Sequence, residues 1–131
     1  MKPAILLVDD NEEILEFLEE ELNEKYILLK ASNGKEAISL LENETAHLII
    51  SDVMMPEMDG FEFVAQLRES SENRNIPIVV LTAKEVSPEE RARLNGQVAK
   101  IVQKGTMTID EILRDLGALI THHVRDMTHL D

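Results

Sequence analysis

Short, unbroken apolar runs alternate along the chain with segments whose apolar residues return every three or four positions. The first pattern predicts strands covered on both faces, the second amphipathic helices. Ala4-Ile5-Leu6-Leu7-Val8 predicts strand one, which ends in Asp9-Asp10-Asn11. A helix follows, with Ile14, Leu15, Leu18 and Leu22 on its apolar face and Glu12, Glu13, Glu16, Glu19, Glu20 and Glu21 mostly outside it. Tyr26-Ile27-Leu28-Leu29 predicts strand two. Asn33 with Glu36 resembles a capping box and opens a helix whose buried face is Ala37, Ile38 and Leu41. Leu48-Ile49-Ile50 predicts strand three, which leaves the core at Ser51-Asp52. Met55-Pro56 and Asp59-Gly60 supply turn chemistry before a third helix carrying Phe63, Val64 and Leu67. Residues 76–81 predict strand four, ending in Thr82-Ala83-Lys84. Ser87-Pro88-Glu89-Glu90 combines a serine cap, a first-turn proline and a reciprocating glutamate, and Asn95-Gly96 predicts the stop of that short helix. Residues 98–102 predict strand five, ending in Gln103-Lys104-Gly105. Thr108 and Glu111 cap a last helix with Ile109, Ile112, Leu113, Leu116 and Ile120 on one face.

Strands alternating with helices, without repeats or low-complexity linkers, predict an α/β single domain. Its five-stranded parallel sheet is doubly wound, that is, covered on both faces by right-handed crossovers. In such sheets the site lies beyond the carboxyl ends of the strands. The polar residues that interrupt the pattern stand there: Asp9 and Asp10 after strand one, Asp52 after three, Thr82 after four and Lys104 after five.

The 131 residues suffice for one such domain. A formal net charge of −13 argues against direct binding to nucleic acid, whose phosphates it repels, and favours basic partners or bound cations. No apolar run approaches the roughly 18 residues of a membrane span, and no basic-then-apolar leader opens the chain, so no membrane association and a cytoplasmic location are expected. Cysteine is absent, which removes disulfides, thiolate ligands and thiol nucleophiles from consideration.

Leu6-Leu7-Val8-Asp9-Asp10-Asn11, the stretch from Ser51-Asp52 through Met54-Met55-Pro56 to Asp59-Gly60, Leu81-Thr82-Ala83 and Gln103-Lys104 occur in the order and at the spacing of one family. The chain resembles the receiver (response-regulator) domain of two-component signal transduction over about residues 3–121. The resemblance implies a flavodoxin-like (βα)5 fold with strand order 2-1-3-4-5, a receiver domain over residues 1–121, and residues 122–131 as an extension of the last helix or a disordered tail. With strands one and three adjacent, about 4.8 Å apart, Asp9, Asp10 and Asp52 crowd one volume and repel one another unless a cation is present. Mg2+ suits such an oxygen donor set. By resemblance, Asp10 and Asp52 bind it directly, Asp9 through water, and the backbone carbonyl of Met54 adds a ligand. Asp52 is then the phosphoacceptor, taking a phosphoryl group from a phosphohistidine on a histidine kinase or a histidine phosphotransfer domain. Lys104 balances the phosphoryl charge and Thr82 donates its hydroxyl in the switch. Such a domain is a signalling switch rather than an enzyme, although self-phosphorylation from small phosphodonors and self-dephosphorylation are implied.

Taken singly, each of these residues has a plainer reading: Asp9-Asp10 as a cap of helix one, Thr82 as a turn residue, Lys104 as a solvated lysine. Three positions depart from the family pattern. Ile101 stands where a Tyr, Phe or His is usual, Gly105 replaces the proline that commonly follows the lysine, and Gly96-Gln97-Val98-Ala99-Lys100 replaces the acidic pair before strand five. The Gln-Lys-Gly form is similar to receivers at the ends of hybrid sensor kinases. No output domain is recognised after residue 121, which fits a stand-alone regulator or a piece of a larger kinase. Leu116, Ile120, His123 and Met127 continue the helical spacing, so the tail either offers a stripe for a homodimer or a kinase helix, or frays. Among His122, His123 and His129 only His122 has an i, i+4 partner, Asp126, and without a third convergent ligand the histidines read as surface residues. A degenerate receiver used only for docking conflicts with the intact acids and lysine. A Mg2+-dependent phosphatase needs an acid-base residue at the position held by Met54.

Overall fold

The computed structural model describes residues 3–52, 60–70, 73, 75–82, 85–94, 96–98, 100–103, 111, 114 and 118. Its elements run β1 (Ala4–Val8), α1 (Glu12–Leu22), β2 (Ile27–Ala31), α2 (Gly34–Asn43), β3 (Leu48–Ser51), α3 (Gly60–Glu69), β4 (Ile78–Thr82), α4 (Pro88–Leu94) and β5 (Lys100–Gln103). Glu111, Arg114 and Ala118 are helical and exposed, as residues off the apolar face of the last helix should be. The rest of that helix and the stripe of Leu116, Ile120, His123 and Met127 lie outside the described residues.

All pairings are parallel, in the order β2-β1-β3-β4-β5. β1 pairs with β2 from Ala4↔Ile27 to Val8↔Ala31 and with β3 from Ile5↔Leu48 to Val8↔Ser51. Every residue of β1 is buried, which explains why its apolar run does not alternate. Leu6, Val8, Ile49, Ile78 and Val80 form one core with Ala37, Leu41, Phe63, Val64, Leu67 and Leu94 of α2, α3 and α4. Ile5, Leu7, Ile50, Val79, Leu81 and Val102 form the other with Leu15 and Leu18 of α1. Helices on both faces make the sheet doubly wound.

Three strands begin later than their apolar runs, and in each case the displaced residue is bound to the turn before it. The Tyr26 N–H donates to Leu22 O (3.1 Å) and closes α1, so β2 starts at Ile27, whose N–H reaches Pro3 O (2.9 Å). The Ile76 N–H donates to Asn73 O (3.2 Å) and Pro77 has no N–H, so β4 starts at Ile78. Gln97 and Val98 both donate to Leu94 O, at 2.9 and 3.3 Å, in a turn that Gly96 permits with φ +77°, and β5 waits until Lys100.

Two of the predicted caps form, and the third, that of Thr108 with Glu111, cannot be placed because Thr108 lies outside the described residues. Asn33 Oδ1 accepts the Glu36 N–H (2.9 Å), while Ser87 and Glu90 exchange bonds, Ser87 N–H to Glu90 Oε1 (3.1 Å) and Glu90 N–H to Ser87 Oγ (3.2 Å). At the amino end of the sheet the Arg68 guanidinium of α3 donates through Nε to Gln97 O (2.9 Å) and through Nη1 to Ile76 O (3.1 Å), and Nη2 also donates to Gln97 O. Burial pushes this guanidinium below its usual range. Nearby, His47 Nδ1 accepts the Ala4 N–H (3.0 Å) and the His47 N–H donates to Ala4 O (2.8 Å), joining the starts of β1 and β3. On the outer strand, Lys30 pairs with Glu19 of α1, whose hydrogen bond and charge hold the ammonium above the usual lysine range.

Candidate functional site

The crevice of this topology lies between β1 and β3, whose following helices cover opposite faces of the sheet, α1 one and α3 the other. Two acids stand one residue past those strands. Asp9 is 4% exposed; its N–H donates to Ala31 O of β2 (3.1 Å) and its Oδ1 accepts the Asn11 N–H (2.9 Å). Asp52 is 6% exposed, and its N–H donates to Val8 O of β1 (2.9 Å). Asp10 is exposed at the mouth. One oxygen from each of Asp9, Asp10 and Asp52 lies within 4.8 Å of the others.

The plainer reading of Asp9-Asp10 as the cap of α1 is overturned. That role belongs to Asn11, whose Oδ1 accepts the N–H groups of Glu13 (3.0 Å) and Ile14 (3.4 Å). Asn11 stands directly before the acidic first turn Glu12-Glu13, where a cap oxygen meets the first N–H groups of the helix. Capping by Asn11 leaves the neighbouring acids to the crevice. Held that close, two unit negative charges repel by roughly 3 kcal/mol or more at an effective dielectric near ~20. Oxygen-only donors of full negative charge fit a hard divalent cation, and Mg2+, which keeps several waters and takes one or two carboxylates, fits better than a soft metal.

Thr82 closes β4 with a fully buried side chain, paired in register with Gln103 at the end of β5. The sheet therefore brings Asp9, Asp10, Asp52 and Thr82 to one end. Lys104 and Met54 lie outside the described residues, as does Gly105. Ile101 is half-buried and packs against the core formed with α2, α3 and α4. Sequence reasoning missed Ser51, whose hydroxyl donates to the Asp52 carbonyl (2.9 Å) from a position 1% exposed. No helix among the described residues is long and apolar enough to cross a membrane.

The sequence profile of the response regulator receiver domain matches residues 5–116. The hybrid signal transduction histidine kinase D of Dictyostelium discoideum is 40% identical over 104 residues, 79% of this chain and 6% of that protein. The response regulator MprA of Mycolicibacterium vanbaalenii is 32% identical over 127 residues, 96% of this chain and 54% of that protein. The chain thus spans less than two thirds of the length of either relative. Among solved structures, the chemotaxis response regulator CheY4 of Vibrio cholerae is similar at a TM-score of 0.78 and 31% identity, with 90% of this chain and 98% of that one covered.

Proposed function

Since the chain belongs to the response regulator receiver domain family, a family of phosphoaccepting signalling switches, we propose that Asp52 is its phosphoacceptor and that a phosphohistidine is the donor. The observation that carries this reading is the convergence of the Asp9, Asp10 and Asp52 carboxylates within 4.8 Å at the ends of two adjacent strands. An Asp52 carboxylate oxygen forms the O–P bond while the P–N bond to the donor imidazole breaks, and the imidazole leaves with the electron pair. The product is an acyl phosphate. Attack of water on phosphorus later returns the free carboxylate and inorganic phosphate, which limits the lifetime of the signal.

Little proton chemistry is required of the protein, whose task is to position the groups and balance charge. Asp10 and Asp52 would hold Mg2+ directly, Asp9 through a water, and the Met54 carbonyl would complete the protein ligands. Bound there, the ion supplies positive charge to the phosphoryl oxygens. Lys104 supplies a second positive charge, and the Thr82 hydroxyl donates to a phosphoryl oxygen once Asp52 is modified. That movement alters the surface made by β4, α4, β5 and the last helix, where a partner reads the state. Ile101, packed on the core where an aromatic residue or histidine is usual, makes the threonine the main mover. The donor is a histidine kinase or a histidine phosphotransfer domain.

Intact-mass measurement after incubation with acetyl phosphate tests this reading. A single-phosphate adduct on the native chain that needs Mg2+, is lost on treatment with hydroxylamine and is missing from Asp52→Asn is the expected result. An equal hydroxylamine-sensitive adduct on Asp52→Asn would place the acceptor elsewhere.

A further inference from the structure

Asp52 stands one residue beyond the last paired position of β3 with either neighbour, Val8↔Ser51 on one side and Ser51↔Val80 on the other. Its N–H is still held by Val8 O at 2.9 Å. Its carbonyl accepts the Ser51 hydroxyl, also at 2.9 Å. The two bonds flank the Asp52 Cα and restrain φ and ψ there, which in turn fixes the direction in which the side chain leaves the backbone. The hydroxyl that supplies one of them is buried at 1% exposure, in register between two valines that belong to an apolar core. A serine in such a place is not explained by packing, which valine or alanine would serve as well, and a buried hydroxyl needs a partner. Its partner is the backbone of the residue whose carboxylate joins Asp9 and Asp10.

We propose that Ser51 is a positioning residue for Asp52: its hydroxyl locks the Asp52 carbonyl where strand pairing ends and so aims the carboxylate into the acidic crevice, both for a divalent cation and for phosphorus. The phosphorus half of this proposal rests on the phosphoacceptor reading above; the cation half does not. Residues that hold a metal ligand in orientation change affinity or activity by about 10- to 100-fold when removed, and a residue acting through the backbone belongs at the lower end of that range.

The test compares Ser51→Ala, Ser51→Val and Ser51→Thr with the native chain. Threonine and valine have nearly the same shape and differ in the hydroxyl. Mg2+ binding is measured by isothermal titration calorimetry, and adduct formation from acetyl phosphate by intact mass, both well below the melting midpoint of every variant. Ser51→Ala and Ser51→Val are expected to lose about tenfold in Mg2+ affinity and in the initial rate of adduct formation, with Ser51→Thr close to native in both. Native values in Ser51→Ala overturn the proposal. So does a Ser51→Thr variant as impaired as Ser51→Val, because size rather than the hydroxyl would then be at issue. A native chain that binds Mg2+ yet takes no phosphate overturns the phosphoacceptor reading instead, and the Mg2+ constants of the variants still decide the role of Ser51. A native chain that binds no Mg2+ overturns the cation half outright.

Discussion

Asn11 serves two neighbours through different atoms. Its backbone N–H holds Asp9 Oδ1, while its side-chain oxygen takes the first free N–H groups of α1. The two roles separate under mutation, because only the second depends on the side chain. Asn11→Ala should therefore lower stability by about 1 kcal/mol, read as a shift in the urea midpoint at unchanged slope, while adduct formation with acetyl phosphate persists. A variant of native stability would mean that the cap contributes nothing. The acids themselves were legible from sequence, since three carboxylates and a threonine punctuated the ends of apolar runs. Which residue caps α1 was not, because Asp9, Asp10 and Asn11 are all cap formers and only the observed start of the helix ranks them. Ser51 was harder still. A small residue at a strand end carries no pattern, and its bond to the next carbonyl forms where β3 ends its pairing with β1 and β4.

Arg68 does at the level of elements what hydrogen-bonded ladders do within the sheet: it ties α3 to the turn before β4 and to the turn before β5, at the end remote from the acids. Both acceptors are backbone carbonyls that strand pairing does not use, and the fork of the guanidinium spans them together. Arg68→Met should cost about 2–3 kcal/mol, the worth of charged hydrogen bonds whose acceptors are left behind, and Arg68→Lys should recover little of it, since an ammonium cannot reproduce the fork. Urea denaturation of the three proteins checks this; full rescue by lysine would reduce the contact to a matter of charge. Hydrophobic periodicity located the helices and the strands but misplaced the starts of β2, β4 and β5. Tyr26, Ile76 and Val98 are apolar enough to read as strand, yet their N–H groups close the preceding turn. Periodicity reports which side chains are buried and is blind to where a backbone N–H goes. For the same reason a long side chain reaching across from α3 to Gln97 leaves no trace in it.

At the scale of the whole molecule, a chain of net charge −13 gathers three of its carboxylates at one sheet end. A bound cation should therefore stabilise the fold as a whole. Mg2+ should raise the melting midpoint with the logarithm of its concentration above Kd, a stabilisation of about 2.7 kcal/mol at a hundredfold excess over Kd. Asp10→Asn, relieved of one repulsion, should melt above the native chain without divalent ions and gain less when Mg2+ is added. Scanning calorimetry against sodium chloride of matched ionic strength distinguishes this from general screening, which an equal rise with both salts would indicate. The strand order was legible only through resemblance to a family, because periodicity counts strands without ordering them. That order also carries a consequence in time. β1 sits between β2 and β3, and its contact with the start of β3, Ala4 with His47, joins residues 43 apart. At translation rates of about 5–20 residues per second, β1 spends roughly two to nine seconds outside the ribosome with one apolar flank unmatched before its inner neighbour exists. Each later strand then adds beside the one made just before it. β1 is thus the oldest strand and the longest exposed, and newly made chains are most open to chaperone capture and to misassociation before residue 51 has emerged.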